Sequence, residues 1–125
     1  MAKPMDKQQA YYNFWSKFGI PAYDENSVPD GAAFPYITYQ VITSDYDHAI
    51  FPTASIWYRS DSWQGADAKL NEISRSIEEM LPIPLDNGGF MQINKGSPFA
   101  QRMAEEDRTV KRYVLNLTVE FLTEY

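Results

Sequence analysis

The residues best suited to chemistry lie in one short segment, Asp45-Tyr46-Asp47-His48, which contains the only histidine of the 125-residue chain. Carboxylate and imidazole groups are ligands for Zn²⁺ or Mn²⁺, so Asp45, Asp47 and His48 could form the centre of a small metal-dependent hydrolase. Asp is also favoured in polar turns between strands, and turn chemistry alone explains these residues. We therefore favour a turn over a metal site.

The other groups capable of catalysis do not form a recognisable set. Glu78 and Glu79 are adjacent in a predicted helix, so their carboxylates point in different directions. The run Glu105-Glu106-Asp107 is typical of a solvated loop. Neither a G-x-S-x-G nucleophile motif nor a glycine-rich phosphate loop is present in the sequence. We therefore expect a protein without enzyme activity and without a cofactor.

Aromatic and basic residues are better candidates, but for binding another protein. Nine Tyr, seven Phe and three Trp make up 15% of the chain, and the core accounts for only some of them. Trp, Tyr and Arg are the residue types that concentrate in the hot spots of protein interfaces. The basic cluster near residue 110 is either a docking site for an acidic patch or a phosphate, or the solvated start of a strand. The candidate interface residues are Trp57, Arg59, Trp63, Arg108, Lys111 and Arg112.

Trp57 is the most informative of these residues. In its predicted strand it alternates with apolar residues, so it lies on the polar face beside Ser55 and Arg59. Two possibilities follow. Either a helix at residues 6–18 covers this face and buries Trp57, or the face is exposed and Trp57 is available to a partner.

The helices that position these residues follow from the spacing of apolar side chains. Residues 6–18 are predicted to form a helix, because aromatic residues recur there at i, i+3, i+4 and i+7. Asp6 is expected to cap its N-terminus, with Gln9 completing a capping box. Gly19 supplies a left-handed residue beyond the helix. A second helix is predicted at residues 63–81 and ends at the prolines of the segment PIP.

Alternating apolar and polar residues predict four strands, at residues 36–43, 53–59, 90–96 and 112–125. Residues 22–35 are predicted to be a loop, and residues 97–109 a connection with one helical turn near 99–103. The element order is therefore α-β-β-α-β-β. This order predicts an α+β fold with a mainly antiparallel sheet of about four strands and two helices packed on one face.

Composition limits the class of protein. A chain of 125 residues with 44% hydrophobic residues is expected to form a single domain, residues 1–125. Cysteine is absent, which excludes disulfides and fits a reducing compartment. The net charge of −6 disfavours binding to duplex DNA. No apolar run reaches the length of a membrane span, and the segment MAKPMDKQQ lacks the apolar core of a secretory signal. We expect a soluble protein made in the cytoplasm.

Four segments of the chain resemble the small tail-terminator, or tail-completion, proteins of long-tailed bacteriophages. They are VPDGAAFPYITYQV at residues 28–41, ASIWYRSDSW at 54–63, GGFMQINKGSPFAQRM at 88–103 and LNLTVEFLTEY at 115–125. The shared markers are a strand start at Pro35-Tyr36, Trp63 at a helix entry and a closing two-faced strand. The resemblance extends over nearly the whole chain from about residue 18. The stretch SPFAQRM resembles relatives from phages or prophages of Gram-positive hosts.

The resemblance implies an α+β subunit that forms a ring, usually a hexamer, at the head-proximal end of the tail tube. Such a ring stops tube polymerisation and joins the tail to the head through the neck. The implied partners are copies of itself, the major tail tube protein and a neck or head-completion protein. The family implies no enzyme activity, no cofactor, no sequence-specific nucleic acid binding and no membrane contact. The expected location is the host cytoplasm during assembly and then the virion.

Three alternatives stay open on the sequence. The chain could be another neck component, such as a head-closure protein. It could be the small hydrolase built around Asp45, Asp47 and His48. It could also be a monomeric module that binds a peptide along a free edge of its sheet.

Overall fold

A computed structural model of the protein describes residues 5–42 and 49–122. The predicted α+β class is confirmed. Asp45, Asp47 and His48 lie outside the described residues, so the metal site stays a prediction. In chain order the elements are α1 (Lys7–Ser16), β1 (Ala22–Asp24), β2 (Tyr36–Tyr39), β3 (Thr53–Arg59), α2 (Gln64–Glu79), β4 (Ile83–Pro84), β5 (Phe90–Met103) and β6 (Val110–Leu122).

Helix α1 forms where the aromatic spacing predicts it, within two residues of both predicted ends. The Asp6 carboxylate accepts a hydrogen bond from the Gln9 backbone N–H at 2.8 Å, as an N-cap does. The Gln9 side chain donates instead to Asn13 Oδ1 at 2.8 Å, so the predicted capping box is half formed. Gly19 adopts the expected left-handed conformation, with φ of 81°. The buried residues of α1 are Ala10, Tyr11, Phe14 and Trp15.

Helix α2 is also confirmed to within two residues at each end, with Trp63 at its N-cap position. Its buried side is formed by Ala66, Ile73 and Ile77, which are spaced for one face of a helix. The chain becomes extended at Met80, just before the predicted proline stop. Within the described ranges, neither helix has the combination of length and hydropathy that a membrane crossing requires.

The six strands form one mixed sheet in the order β1-β2-β3-β6-β5-β4. The predicted four-stranded antiparallel sheet is therefore wrong in two respects. A short strand is added at each edge, and the added strand β1 pairs with β2 in parallel. Alternation does not predict β1 or β4, because strands of two or three residues next to proline carry no repeating pattern. The predicted strand 53–59 is confirmed as β3, whereas β2 stops at Tyr39.

Both helices pack on one face of this sheet, as predicted. Ile37, Ile56 and Leu115 alternate onto that face and are completely buried. The Tyr11 ring of α1 lies 5.7 Å, between centroids, from the Tyr39 ring of β2. The buried residues of α2 belong to the same core cluster. The opposite face of the sheet therefore carries neither helix.

Strand β5 is much longer than predicted, because a bulge interrupts its pattern. Lys95 lies opposite Leu117, but the next paired residue, Ala100, lies opposite Leu115, so residues 96–99 face one residue of β6. The three surplus residues reverse the alternation, and the far half of β5 no longer continues the period of the near half. The predicted helical turn near 99–103 is therefore wrong. These residues belong to strand β5.

Backbone packing explains why the bulge contains a glycine. A Cβ at Gly96 would lie 2.9 Å from the backbone oxygen of Asn116, so the two strands approach too closely for any side chain. The Asn116 side chain closes the bulge by donating to the Pro98 carbonyl at 3.0 Å. This contact holds the far half of the β5–β6 hairpin in register.

Candidate functional site

Trp57 lies on the helix-free face of the sheet. Its neighbours along β3, Ile56 and Tyr58, point to the helical side, and Ile56 is completely buried there. Because α1 packs against Tyr39 on that helical side, the possibility that α1 covers Trp57 is wrong. The surface around Trp57 is therefore the first candidate for a binding site.

Strand register arranges the residues around Trp57 in a row across the sheet. Tyr36 of β2 lies opposite Trp57, and Trp57 lies opposite Arg112 of β6. Arg112 in turn lies opposite Met103 of β5. Tyr23 of β1 extends the row, with its ring centroid 5.9 Å from that of Tyr36. We call these five residues the open-face stripe; it crosses five adjacent strands and is about 19 Å long.

The centre of the open-face stripe is ordered by contacts on both sides of the Trp57 indole. The Tyr36 ring stacks on one side, with centroids 6.0 Å apart and an interplanar angle of 20°. The Arg112 guanidinium lies on the other side, 4.3 Å from the ring centroid. Because both ring faces are occupied, the indole offers no free face on which a nucleobase or sugar could stack. The stripe is better suited to contact with a protein surface.

Hydrogen bonds tie the stripe to the next row of residues. Trp57 Nε1 donates to Thr38 Oγ1 at 2.9 Å, and Arg112 Nε donates to Ser55 Oγ at 3.2 Å. Thr38 and Ser55 are only 8% and 5% exposed. Each of these buried hydroxyls has a partner, which removes the cost of desolvating it. The stripe is therefore held in one geometry before any partner binds.

Two carboxylates of the β5–β6 connection neutralise the arginines of this face. Glu105 accepts from Arg112 at 3.3 Å, and Asp107 lies 3.6 Å from Arg59. Hydrogen bonds from Thr109 hold the pKa of Asp107 below its usual value. The Arg59 guanidinium also lies 4.7 Å from the centroid of the Phe34 ring. Both arginines of this face are thus paired with a carboxylate and in contact with an aromatic ring.

A second aromatic and arginine cluster lies on the helical side, where α2 begins. We define the helix-end cluster as Trp63, Asp67, Arg102 and Tyr113. The rings of Trp63 and Tyr113 meet edge to face at 5.2 Å, and the Arg102 guanidinium lies 4.4 Å from the Trp63 centroid.

Hydrogen bonds close the helix-end cluster. Arg102 Nε donates to Tyr113 Oη at 2.9 Å, and Tyr113 donates to Asp67. Arg102 also lies 3.3 Å from the Asp67 carboxylate. Burial and the bond to Asp67 raise the pKa of Tyr113. These contacts join α2 to β5 and β6, so the cluster serves the fold.

A cleft of about 360 Å³ opens beside the helix-end cluster. Trp63, Met103, Arg108 and Lys111 line it, with Glu105 at its border. The Lys111 ammonium lies 5.9 Å from the Trp63 ring centroid and donates to the Arg108 carbonyl. We call this the basic cleft.

The six predicted interface residues therefore do not form one surface. Trp57, Arg59 and Arg112 come together on the open face. Trp63 and Lys111 lie on the helical side, and Arg108 lies in the β5–β6 connection between the two. Sequence analysis does not predict the roles of Asp67, Arg102 and Tyr113, which meet only after folding. The one available signal is the position of Tyr113 on the apolar side of the closing strand.

In the part of the chain that the structure describes, no group of three His, Cys, Asp or Glu side chains is arranged to hold a metal ion. No protein-family model matches the chain, and no curated protein matches it. The open-face stripe and the basic cleft are therefore the features that bear on function.

Proposed function

We propose that this chain is a structural subunit of a bacteriophage tail terminator. In this role, copies of the chain form a ring, usually a hexamer, that caps the tail tube. The ring stops tube polymerisation and joins the tail to the head through the neck. The observation that carries the proposal is the open-face stripe, an ordered aromatic and arginine surface that neither helix covers.

The composition of the stripe supports a protein partner. Tyr, Trp, Met and Arg are the residue types enriched in the cores of protein interfaces, and these four types make up the whole stripe. Internal hydrogen bonds and stacking fix its side chains, so little conformational entropy is lost when a partner binds. A rigid aromatic surface is what a permanent assembly requires.

A closed ring needs two different surfaces on each subunit, because head-to-tail contacts repeat by rotation. The open face and the basic cleft are two such surfaces. The remaining surface of the subunit would meet the major tail tube protein on one side and a neck or head-completion protein on the other. The net charge of −6 suits a channel through which DNA passes without sequence-specific binding, because like charges repel.

In this role the protein has no enzyme activity and no cofactor. It assembles in the host cytoplasm and ends in the virion, in a long-tailed phage or prophage of a Gram-positive host. It makes no contact with a membrane.

Tube capping tests the proposal directly. The purified chain is mixed with the tail tube protein from the same genome during tube assembly, and tube ends are examined by negative-stain electron microscopy. We expect rings at one end of each tube and shorter tubes. Trp57→Ala should abolish capping, whereas Tyr12→Ala, which removes an exposed aromatic ring from α1, should not. Tubes that grow uncapped in the presence of the unmodified chain would overturn the proposal.

The same mixture separates the terminator from a head-closure protein. A head-closure protein would bind isolated capsid necks and leave tube ends bare. Gene order gives a second discrimination, because a terminator gene usually lies just upstream of the major tail protein gene.

A further inference from the structure

Charge is unevenly distributed along the chain. Residues 18–58 contain five acidic residues and no Lys or Arg, although the chain has eleven basic residues in all. Three of these acids lie close together in the chain: Asp24 is the last residue of β1, and Glu25 and Asp30 follow in the connection to β2. We call residues 24–30 the acidic loop. None of the three forms an ion pair with another described residue. The acidic loop therefore presents uncompensated negative charge at one edge of the sheet.

The basic cleft presents the opposite charge. Within the described ranges, neither Arg108 nor Lys111 forms an ion pair. Two carboxylates of the same connection are already engaged, Glu105 by Arg112 and Asp107 by Arg59. The first turn of α2 begins at the same cleft, and the positive end of a helix dipole favours an anionic partner.

Within the described residues, no carboxylate of the acidic loop forms an ion pair with Arg108 or Lys111. Strand pairing aligns Asp24 of β1 with Leu115 of β6, three strand spacings away. Val110, at the cleft, lies five residues before Leu115 in β6. These intervals place Asp24 and Val110 about 22 Å apart. Interactions between exposed charges are screened over about 8 Å at physiological salt. The Asp24 end of the acidic loop is therefore too far from the cleft for a direct charge interaction, which leaves both charged regions open to a second copy.

The open-face stripe connects these regions. Tyr23, at one end of the stripe, precedes the acidic loop directly, and Met103, at the other end, lines the basic cleft. In a head-to-tail contact, the Tyr23 end of the stripe on one copy would meet the Met103 end of the stripe on the next copy. The acidic loop of the first copy would then meet the basic cleft of the second. The proposed aromatic contact and the charge pairing therefore belong to one continuous interface.

We propose that the acidic loop of one copy binds in the basic cleft of a second copy of this chain, and that this contact repeats around the ring. The proposal rests on the ring function above and names the contact that closes it. Two different patches meet, so the contact is heterologous and closes by rotation. Glu25 and Asp30 are the loop residues, and Arg108 and Lys111 are the cleft residues.

Charge reversal tests this contact. One variant carries Glu25→Lys and Asp30→Lys, and the other carries Arg108→Glu and Lys111→Glu. All four side chains lie at least partly on the surface, and circular dichroism checks that both variants fold. Self-association is measured by sedimentation velocity at low ionic strength, alone and on tail tubes. We expect each variant by itself to associate at least tenfold more weakly than the unmodified chain, because like charges then face each other.

Mixing the two variants provides the decisive observation. In an equimolar mixture the basic loop of one variant meets the acidic cleft of the other, and the acidic loop meets the basic cleft. Both contacts are then complementary, so alternating rings form and association recovers. Glu79→Lys with Asp86→Lys is the control, since it makes the same change in net charge as the loop variant at exposed sites away from both regions.

The outcomes separate this inference from the proposed function. If the unmodified chain forms no ring, alone or on tubes, both proposals fall. If it forms rings and either variant associates as strongly by itself, or the mixture does not recover, only the loop-to-cleft contact is overturned. Weak association by each variant and recovery in the mixture would support it.

Discussion

The open-face stripe and the helix-end cluster share a local geometry but differ in what surrounds them. In each, an arginine lies over a tryptophan ring, at 4.3 Å for Arg112 and Trp57 and at 4.4 Å for Arg102 and Trp63. The carboxylate partner of Arg102 is Asp67 of α2, so that cluster fastens a helix to the sheet. The partner of Arg112 is Glu105, a loop residue, and neither α1 nor α2 packs on that face of the sheet.

This difference shows that aromatic and arginine residues do not identify an interface by type alone. Tryptophan on a face that a helix contacts contributes to folding. Tryptophan on the helix-free face contributes an ordered surface, which is useful when a partner covers it. Substitutions in the two regions should therefore separate an effect on stability from an effect on assembly.

The largest stability effect is expected at Trp63. Its ring is only partly exposed and contacts Tyr113, Arg102 and Lys111, so Trp63→Ala should lower the free energy of unfolding by about 2–3 kcal/mol. Replacing a fully buried Trp by Ala typically costs about 3–5 kcal/mol. The smaller value expected here reflects the partial exposure of Trp63. Denaturant unfolding followed by circular dichroism measures it. An unchanged midpoint would show that the helix-end cluster does not fasten α2.

A smaller stability effect is expected at Trp57. Trp57→Ala removes the stack on Tyr36, the arginine contact and the bond to Thr38, for about 1.5 kcal/mol. Its effect on tube capping should nevertheless be complete, whereas Tyr113→Phe, at a helix-end residue that does not line the basic cleft, should cap tubes at temperatures where it is folded. A stability loss at Trp57 as large as that at Trp63 would remove the distinction between the two regions.

The hydroxyl of Tyr113 is expected to matter less than either ring. Tyr113→Phe removes one bond to Arg102 and one to Asp67, but the ion pair between these two residues remains. We expect a loss of about 1 kcal/mol in the free energy of unfolding. Asp67→Asn in the Tyr113→Phe background should then cost less than Asp67→Asn alone, since the bond from Tyr113 to Asp67 is already lost. Fully additive losses would indicate independent contacts.

These predictions rest on features that sequence patterns capture to different degrees. α1, β3 and α2 follow from caps and from periodicity within one segment. Alternation also places Trp57 on the correct face. The partners of Trp57 are not predictable in this way, because the pairing with Arg112 requires the register between β3 and β6.

The helix-end cluster is harder to predict from the sequence than the position of Trp57. Asp67 and Tyr113 are 46 positions apart, and Arg102 follows a bulge that hides the strand on which it sits. Local patterns describe neighbours along a segment, whereas this cluster depends on three segments and one irregularity. The bulge is signalled only by Gly96 and Pro98, which fit a connection equally well.

The smallest effect is a difference in alkaline stability between the two regions. Burial raises the pKa of both Tyr113 and Tyr36. Asp67 adds to the rise in the pKa of Tyr113 and Arg102 opposes it, whereas Arg112 and Arg59 oppose the rise in the pKa of Tyr36 and Tyr23 adds to it. The stabilisation is complete below the unfolded pKa of 10.0. Above it, the unfolded chain loses protons first, so the free energy of unfolding falls until the folded pKa is passed.

Two variants isolate this pH dependence. Tyr113→Phe should flatten the loss of stability above pH 10 more than Tyr36→Phe does, since only Tyr113 has a carboxylate partner. Tyr11, whose pKa burial also raises, contributes equally in both variants and cancels in the comparison. Thermal melting across alkaline pH measures the slopes. Equal slopes in the two variants would contradict the predicted difference.

The bulge in β5 has a consequence for changes in chain length. Arg102 faces the helices because it lies opposite Tyr113, and Met103 faces away because it lies opposite Arg112; both pairs lie beyond the bulge. Deleting the three surplus residues would restore a regular ladder in which both pairs are kept. The loop of the bulge should therefore accept insertions and deletions of either parity without moving Arg102 or Met103 to the other face. This segment can absorb changes in chain length while the hairpin end keeps its orientation.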